Sequence, residues 1–227
     1  MTLLITHDDA LDHVTPPGHP ERVDRLRAVH RALAGMALDR EDAPEAGDDL
    51  LTLCHPQSYV DALTEAAPAA GFAQLDADTH MSPGSLRAAR LAVGGAVRAV
   101  DAVMAGEAPN AFVAMRPPGH HAETARPMGF CLFGTVAIAA THALAAHGLT
   151  RVAVVDFDVH HGNGTQDLLW EEARTLFVSS HQSPLWPGTG AASERGAHDN
   201  VMNVPLPPRS DGALIRAKMD GEILPRL

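Results

Sequence analysis

The chain has 227 residues, 45% of them apolar, and carries a formal charge of −11 from 28 acidic against 17 basic side chains. That length supports one large domain with a real core, while the acidic balance argues against a nucleic-acid binder, which needs a basic stripe, and reads first as a solvated acidic surface and only weakly as a sign of a cationic substrate. Two cysteines, Cys54 and Cys131, are too far apart for a disulfide framework or a CxxC zinc knuckle and fit a reducing cytoplasm; the start at Met1 to His7 is not a signal peptide, and no segment has the length of a membrane span.

Leu3 to Thr6 reads as a first strand, followed by a polar loop from His13 to Pro20. Val23, Leu26, Val29 and Leu33 stand at helical spacing and predict a helix over Glu21 to Leu33. Tyr59 to Ala67 reads as a shorter helix. Ser82-Pro83-Gly84-Ser85 opens a long helix to about Met104, with Ser as N-cap and Pro in the first turn. Ala111 to Met115 reads as a second buried strand that runs into Arg116, Pro117, Pro118, Gly119, His120 and His121. Phe133 to His147 is an apolar helix closed by Gly148. Arg151 to Asp158 is a buried strand, Thr165 to Glu172 a helix, Thr175 to Ser180 a strand ending in His181, and Val201 to Leu206 one more. Asp211 to Leu227 begins a helix. Strands alternating with helices predict a mostly parallel sheet covered on both faces. No stretch rich in Pro, Gly or Ser divides the chain, so residues 1–227 read as a single domain.

Three strands end in His-bearing loops on one edge, where open α/β sheets hold their ligands. The richest end is Asp156, Asp158, His160, His161, Gly162, Asn163 and Gly164. Strand alternation points Asp156, Asp158 and His160 the same way, and charge crowded at a buried edge calls for a cation. Asp158 and His160 are the candidate metal ligands; nitrogen and carboxylate donors with an open position suit catalytic zinc. Gly162 and Gly164 let the backbone turn beneath them. His120 and His121 form a pair able to take and pass protons, each needing an orienting partner on its far nitrogen, for which Asp156 and Asn163 are candidates. Gly129, Phe130 and Trp186 place aromatics in loops on the same edge, either as loop packing or as a slot for an alkyl chain. Ser179 and His181 read equally well as buried hydrogen-bonding groups. His7, His13, His30, His55, His80, His142, His147 and His198 carry no spacing signal and read as structural or surface.

Arg116 to His121, Gly129 to Cys131, Asp156 to Gln166 and Trp186 to Gly190, with Gly18 to Arg22 and Asp78 to Gly84, resemble the zinc-dependent histone deacetylase family, which includes acetylpolyamine amidohydrolases. The resemblance runs over nearly the whole chain. It implies the three-layer arginase/deacetylase fold with an eight-stranded parallel sheet. It implies hydrolysis of an acetylated amine (acetyl-lysine, an acetylpolyamine or a small metabolite) by a water that zinc activates. Asp158 and His160 would then be two of three zinc ligands. His120 would be the electrostatic histidine oriented by Asp156, and His121 the general base and acid partnered by Asn163. Many members have Asp there, and an amide leaves His121 more readily neutral. Phe130 and Trp186 would wall the acyl tunnel with Gly129 at its side, and Asp78 would sit at its rim. A structural K+ site would use Asp156, Asp158, His160, Ser179 and Ser180. A homo-oligomer is compatible with the family.

The family's third zinc ligand, an Asp in a later motif, and its oxyanion Tyr have no counterpart here; the only tyrosine is Tyr59. The resemblance places two further strands between the Ala111–Met115 and Val152–Asp158 strands, and predicts an opened sheet and a fold incomplete at its C-terminal end. The alternative reading is a catalytically silent acyl-lysine or metal-binding module.

Overall fold

A computed structural model describes residues 1–227. In chain order the elements are β1 (Leu3–Thr6), α1 (Val23–Leu33), β2 (Asp39–Asp42), α2 (Asp48–Leu51), α3 (Gln57–Ala66), β3 (Ala73–Gln74), β4 (His80–Met81), α4 (Ser85–Met104), β5 (Ala111–Val113), α5 (Thr135–Ala146), β6 (Val152–Asp156), α6 (Asn163–Leu169), β7 (Thr175–Gln182), β8 (Val201–Leu206) and α7 (Gly212–Lys218). The parallel strands fall into two separate three-stranded sheets, ordered β2-β1-β5 and β6-β7-β8, beside a two-stranded antiparallel hairpin, β3-β4.

This is a helix-flanked parallel α/β architecture, as the alternation predicts, but its sheet is divided. The edges of β5 and β6 have no strand partner. Ala111–Val113 is therefore shorter and more exposed than a buried strand: Phe112 is 49% exposed, and Phe157 just beyond β6 is 80% exposed. β2 is a strand that periodicity misses. Its four residues Asp-Arg-Glu-Asp have no apolar face, and pairing with β1 in register Leu3↔Asp39 to Thr6↔Asp42 makes it an edge.

Two helices carry most of the joining. α4 buries a stripe of small residues, Ala88, Ala89, Ala92, Gly94 and Gly95 among them, which lets it lie close against neighbouring backbone. α5 packs between α4 and β6 and is apolar nearly all round, as a helix covered on several sides must be. Ser82 is not the cap of α4. Gly84 precedes the first turn without a side-chain cap, and the Ser85 hydroxyl instead accepts from the Ser82 N–H at 2.7 Å.

The loop leading to His120 is anchored by a buried ion pair. Arg116 donates through Nε and Nη2 to both Glu21 carboxylate oxygens and through Nη1 to the His13 carbonyl at 3.0 Å. Glu21 and Arg116 side chains are 0% and 5% exposed. Burial opposes the Glu21 charge, but the Arg116 guanidinium and His13 outweigh it and hold the carboxyl down at about 2. Breaking a buried pair by removing one partner leaves the other charge uncompensated. Glu21→Gln is expected to lower unfolding free energy by about 3–5 kcal/mol at neutral pH in urea titrations. The folded-state value is depressed, so the carboxylate's contribution is complete above 4.5 and disappears as pH falls toward about 2. The gap between wild type and variant should close over that window.

Candidate active site

The site is built where β6 ends. The strand stops at Asp156, and residues 158–160 form bends, so strand alternation does not align Asp158 and His160 with Asp156. A turn does it instead. Asp158 Oδ1 accepts from the His160 N–H at 2.8 Å and lies 3.0 Å from His160 Nδ1. Asp156 Oδ1 in turn accepts from the Asp158 N–H at 3.0 Å. The carboxylate and imidazole are side by side and half-exposed.

His120 and His121 come from the segment after the Arg116 anchor, and their rings lie 3.9 Å apart between centroids. His120 Nδ1 is 2.8 Å from Asp156 Oδ2. Burial works against the Asp156 charge, but the hydrogen bond and charge of His120 keep its carboxyl below the usual range. His121 is buried, and its Nδ1 is 2.8 Å from Asn163 Oδ1. Burial first, and then the nearby His120 charge, push the His121 imidazole down to about 4, against the smaller opposing effect of the Asn163 bond.

Glu123 is the member of this hydrogen-bonded cluster that sequence reasoning missed. The Asn163 amide donates through Nδ2 to Glu123 Oε1 at 2.7 Å. A carboxylate only accepts, so this bond fixes the amide with its oxygen toward His121. His121 must then donate from Nδ1, which leaves Nε2 as the free base. The only signal available in sequence was an acid two residues after His121.

The glycines act by proximity. Gly162 and Gly164 have no left-handed conformation. A Cβ on Gly164 would strike the backbone of His121 and Ala122, and one on Gly162 the Asp156 carboxylate. Gly164 and Thr165 N–H groups, in the first turn of α6, donate to the His120 carbonyl at 2.9 and 3.1 Å. His161 points elsewhere, hydrogen-bonded at 2.8 Å to Thr189 and 3.0 Å to Gln166.

Two of the slot residues, Gly129 and Trp186, lie against His121, while the Phe130 ring packs on His19 at 5.0 Å. Trp186 stacks edge-on to His121 at 4.7 Å and to His160 at 5.9 Å. Gly129 has φ +57°, and a Cβ there would collide with both the His121 ring and Trp186. Phe130 has φ +70° and its N–H donates to the Thr79 hydroxyl at 3.1 Å, which binds its loop to the Asp78 segment. Asp78 is half-buried there; its carbonyl is 2.9 Å from His19 Nε2 and its carboxylate accepts from Thr79. Ser179 is the register partner of Asp156. Its hydroxyl lies 3.0 Å from His181 Nδ1, and both Ser179 and Ser180 are buried. A groove of about 570 Å³ follows the unpaired edge of β6, lined by His120, Asp158, Val136, Val155 and Phe157.

The donor chemistry at Asp158 and His160 fits two positions of a zinc centre, since one oxygen and one nitrogen 3.0 Å apart can share an ion. No third His, Cys or carboxylate joins them within reach of one ion. Tyr59 is buried, and its hydroxyl donates to the Leu132 carbonyl at 2.7 Å.

A helix-flanked parallel sheet with paired histidines and an Asp–His donor pair at one carboxyl edge defines a deacetylase-type α/β protein. Residues 19–227 match the histone deacetylase domain, and the chain belongs to that family. It is 44% identical over 234 residues to an uncharacterized protein of Synechocystis (slr0245), covering all of this chain and 76% of that one. It is 40% identical over 226 residues to the histone deacetylase-like amidohydrolase of Pseudomonas aeruginosa, covering 94% of this chain and 59% of that protein. The crystal structure of the HDA15 HD domain superposes with a TM-score of 0.92 at 34% identity, over 99% of this chain and 70% of that one.

In an NMR titration the His121 ring should stay neutral to well below pH 6 and protonate near pH 4. A midpoint at the ordinary 6.5 would show that burial does not control it.

Proposed function

We propose that this chain carries most of the catalytic centre of a metal-dependent amidohydrolase that removes acetyl groups from acetylated amines: acetyl-lysine, acetylpolyamines or small acetylated metabolites. The observation that carries the reading is two differently backed imidazoles beside the Asp158–His160 donor pair: the His121 and His160 rings stand 6.0 Å apart between centroids, and His120 and Asp158 line one groove. Zinc held by Asp158 and His160 would supply Lewis-acid polarisation of the acetyl carbonyl. His121 Nε2, freed by the Nδ1 bond to Asn163, takes a proton from the attacking water and returns it to the departing amine. Its lowered basicity suits a base that starts neutral. His120, backed by the anionic Asp156, supplies a donor beside the developing negative charge. Trp186, Phe130 and Gly129 wall the acyl chain, and the Asp78 carboxylate accepts from substrate N–H groups at the rim. Within this chain the centre has two metal donors and the Tyr59 hydroxyl is committed to Leu132, and the chain spans 59% of the length of the Pseudomonas protein.

The same proposal places K+ among Asp156, Asp158, His160, Ser179 and Ser180, supported by the pairing of Asp156 with Ser179 across β6 and β7. Both cysteines are free thiols, which supports a reducing cytoplasm. No helix is long and apolar enough to cross a membrane. The formal charge of −11 supports a partner other than nucleic acid. Assembly into homo-oligomers belongs to the same family-based reading.

A second reading, a silent acyl-lysine or metal-binding module, is favoured by the two-donor centre and by the commitment of the Tyr59 hydroxyl to Leu132. Turnover of a fluorogenic acetyl-lysine peptide, measured with metal content, separates the two. In a polypeptide carrying all three metal donors, His121→Ala should lower turnover about 100-fold or more without changing zinc content. Glu123→Gln, which frees the Asn163 amide to flip, should lower it about 10-fold. Unchanged turnover in His121→Ala refutes the assigned base. Zinc and peptide binding without any wild-type turnover selects the silent module.

A further inference from the structure

At the far end of α5 from the His120 loop, three metal-competent side chains converge. His142 lies in the last turns of α5, His147 caps it, and Asp101 faces both from the last turn of α4. Each histidine Nε2 is 2.7 Å from the same atom, Asp101 Oδ1, and the two rings stand at 79° with centroids 5.6 Å apart. All three ligand atoms lie within 4.8 Å of one another, and none of the active-site residues shares the cluster.

No Lys or Arg side chain pairs with Asp101. Arg98, one turn before Asp101, is the cation placed to pair with it, but it is held at 2.6 Å by both Glu41 and Glu107. The ion-pair partners of Asp101 are the two imidazoles alone. With both imidazoles neutral the cluster carries one negative charge. It also sits at the C-terminal ends of two helices, where carbonyl dipoles favour a cation. The rings are mostly buried, 14% and 24% exposed, so their positions are set by packing, while the carboxylate at 41% is open to solvent and admits an ion.

We propose that Asp101, His142 and His147 form a divalent transition-metal site of the zinc type that braces α4 against α5, with its remaining position open to water. Zinc ligands at 2.0–2.2 Å in a tetrahedral arrangement stand about 3.3 Å apart. Admitting the ion therefore asks each histidine Nε2 to draw back from Asp101 Oδ1 by about half an ångström from its 2.7 Å hydrogen-bonded spacing. Coordination by Nε2 moves each ring's proton to Nδ1 and alters no backbone. Two imidazoles and one carboxylate suit zinc, cobalt and nickel over calcium or magnesium. The site is independent of the activity proposed above.

The chain, stripped of metal with a chelator, is titrated with Co2+ followed by visible absorbance and with Zn2+ against a chromophoric chelator. Wild type and Asp158→Ala should each take up one equivalent at this site, and Zn2+ should raise the Tm of both. His147→Gln and the His142→Gln/His147→Gln double variant, checked for native circular dichroism, should lose that equivalent, with affinity falling about 100-fold or more. Uptake in the double variant equal to wild type, or wild-type uptake abolished by Asp158→Ala, overturns the proposal. Absence of any uptake means that the three side chains are held by hydrogen bonds alone and overturns it equally.

Discussion

The structure depends on the close apposition of the first turn of α6 with the His120–His121 segment. The two three-stranded sheets share no strand pairing, so something other than a β-ladder must hold their halves in register. At this junction the Gly164 and Thr165 N–H groups cap the His120 carbonyl, Asp156 holds the His120 ring, and Asn163 holds the His121 ring. The missing Cβ of Gly164 is what permits the approach. One small contact thus sets the distance between sheet halves and the geometry of both imidazoles. The α4–α5 packing behind it supplies the bulk of the joining surface, and the Asp101–His142–His147 cluster ties the same two helices at their other end.

The two histidines show how neighbours of different charge give one residue type two environments. His120 is backed by a carboxylate that stays ionised despite burial. His121 is backed by an amide whose own orientation is fixed by a carboxylate one step further away. Placing the negative charge of Glu123 behind the Asn163 amide controls the His121 tautomer without putting a carboxylate directly on the ring. Burial then wins over the remaining attractions and lowers the basicity of that imidazole.

The parts of the fold legible in sequence are those whose burial is expressed within one element. β1, β7, β8, α4 and α5 announce themselves by apolar runs or helical spacing, and the His120, His121, Asp158 and His160 motifs by chemistry that a plain core does not need. β2 was not legible, because an edge strand with an all-polar sequence is made by its partner's ladder and not by its own pattern. The exposure of β5 was not legible from its composition either: an apolar strand reads as buried whether or not a neighbour covers it.

Sequence by itself determined the alternation of strands and helices and the edge on which the His- and Asp-bearing motifs collect, since these follow from local hydrophobic pattern and residue type. Tertiary structure alone decided that Asp158 and His160 meet through a turn, that Glu123 stands behind Asn163, and that two histidines without any spacing signal share an aspartate from another helix. The physical reason is that hydrogen bonds and ion clusters between residues tens of positions apart depend on how elements pack, and that packing is written in no single segment.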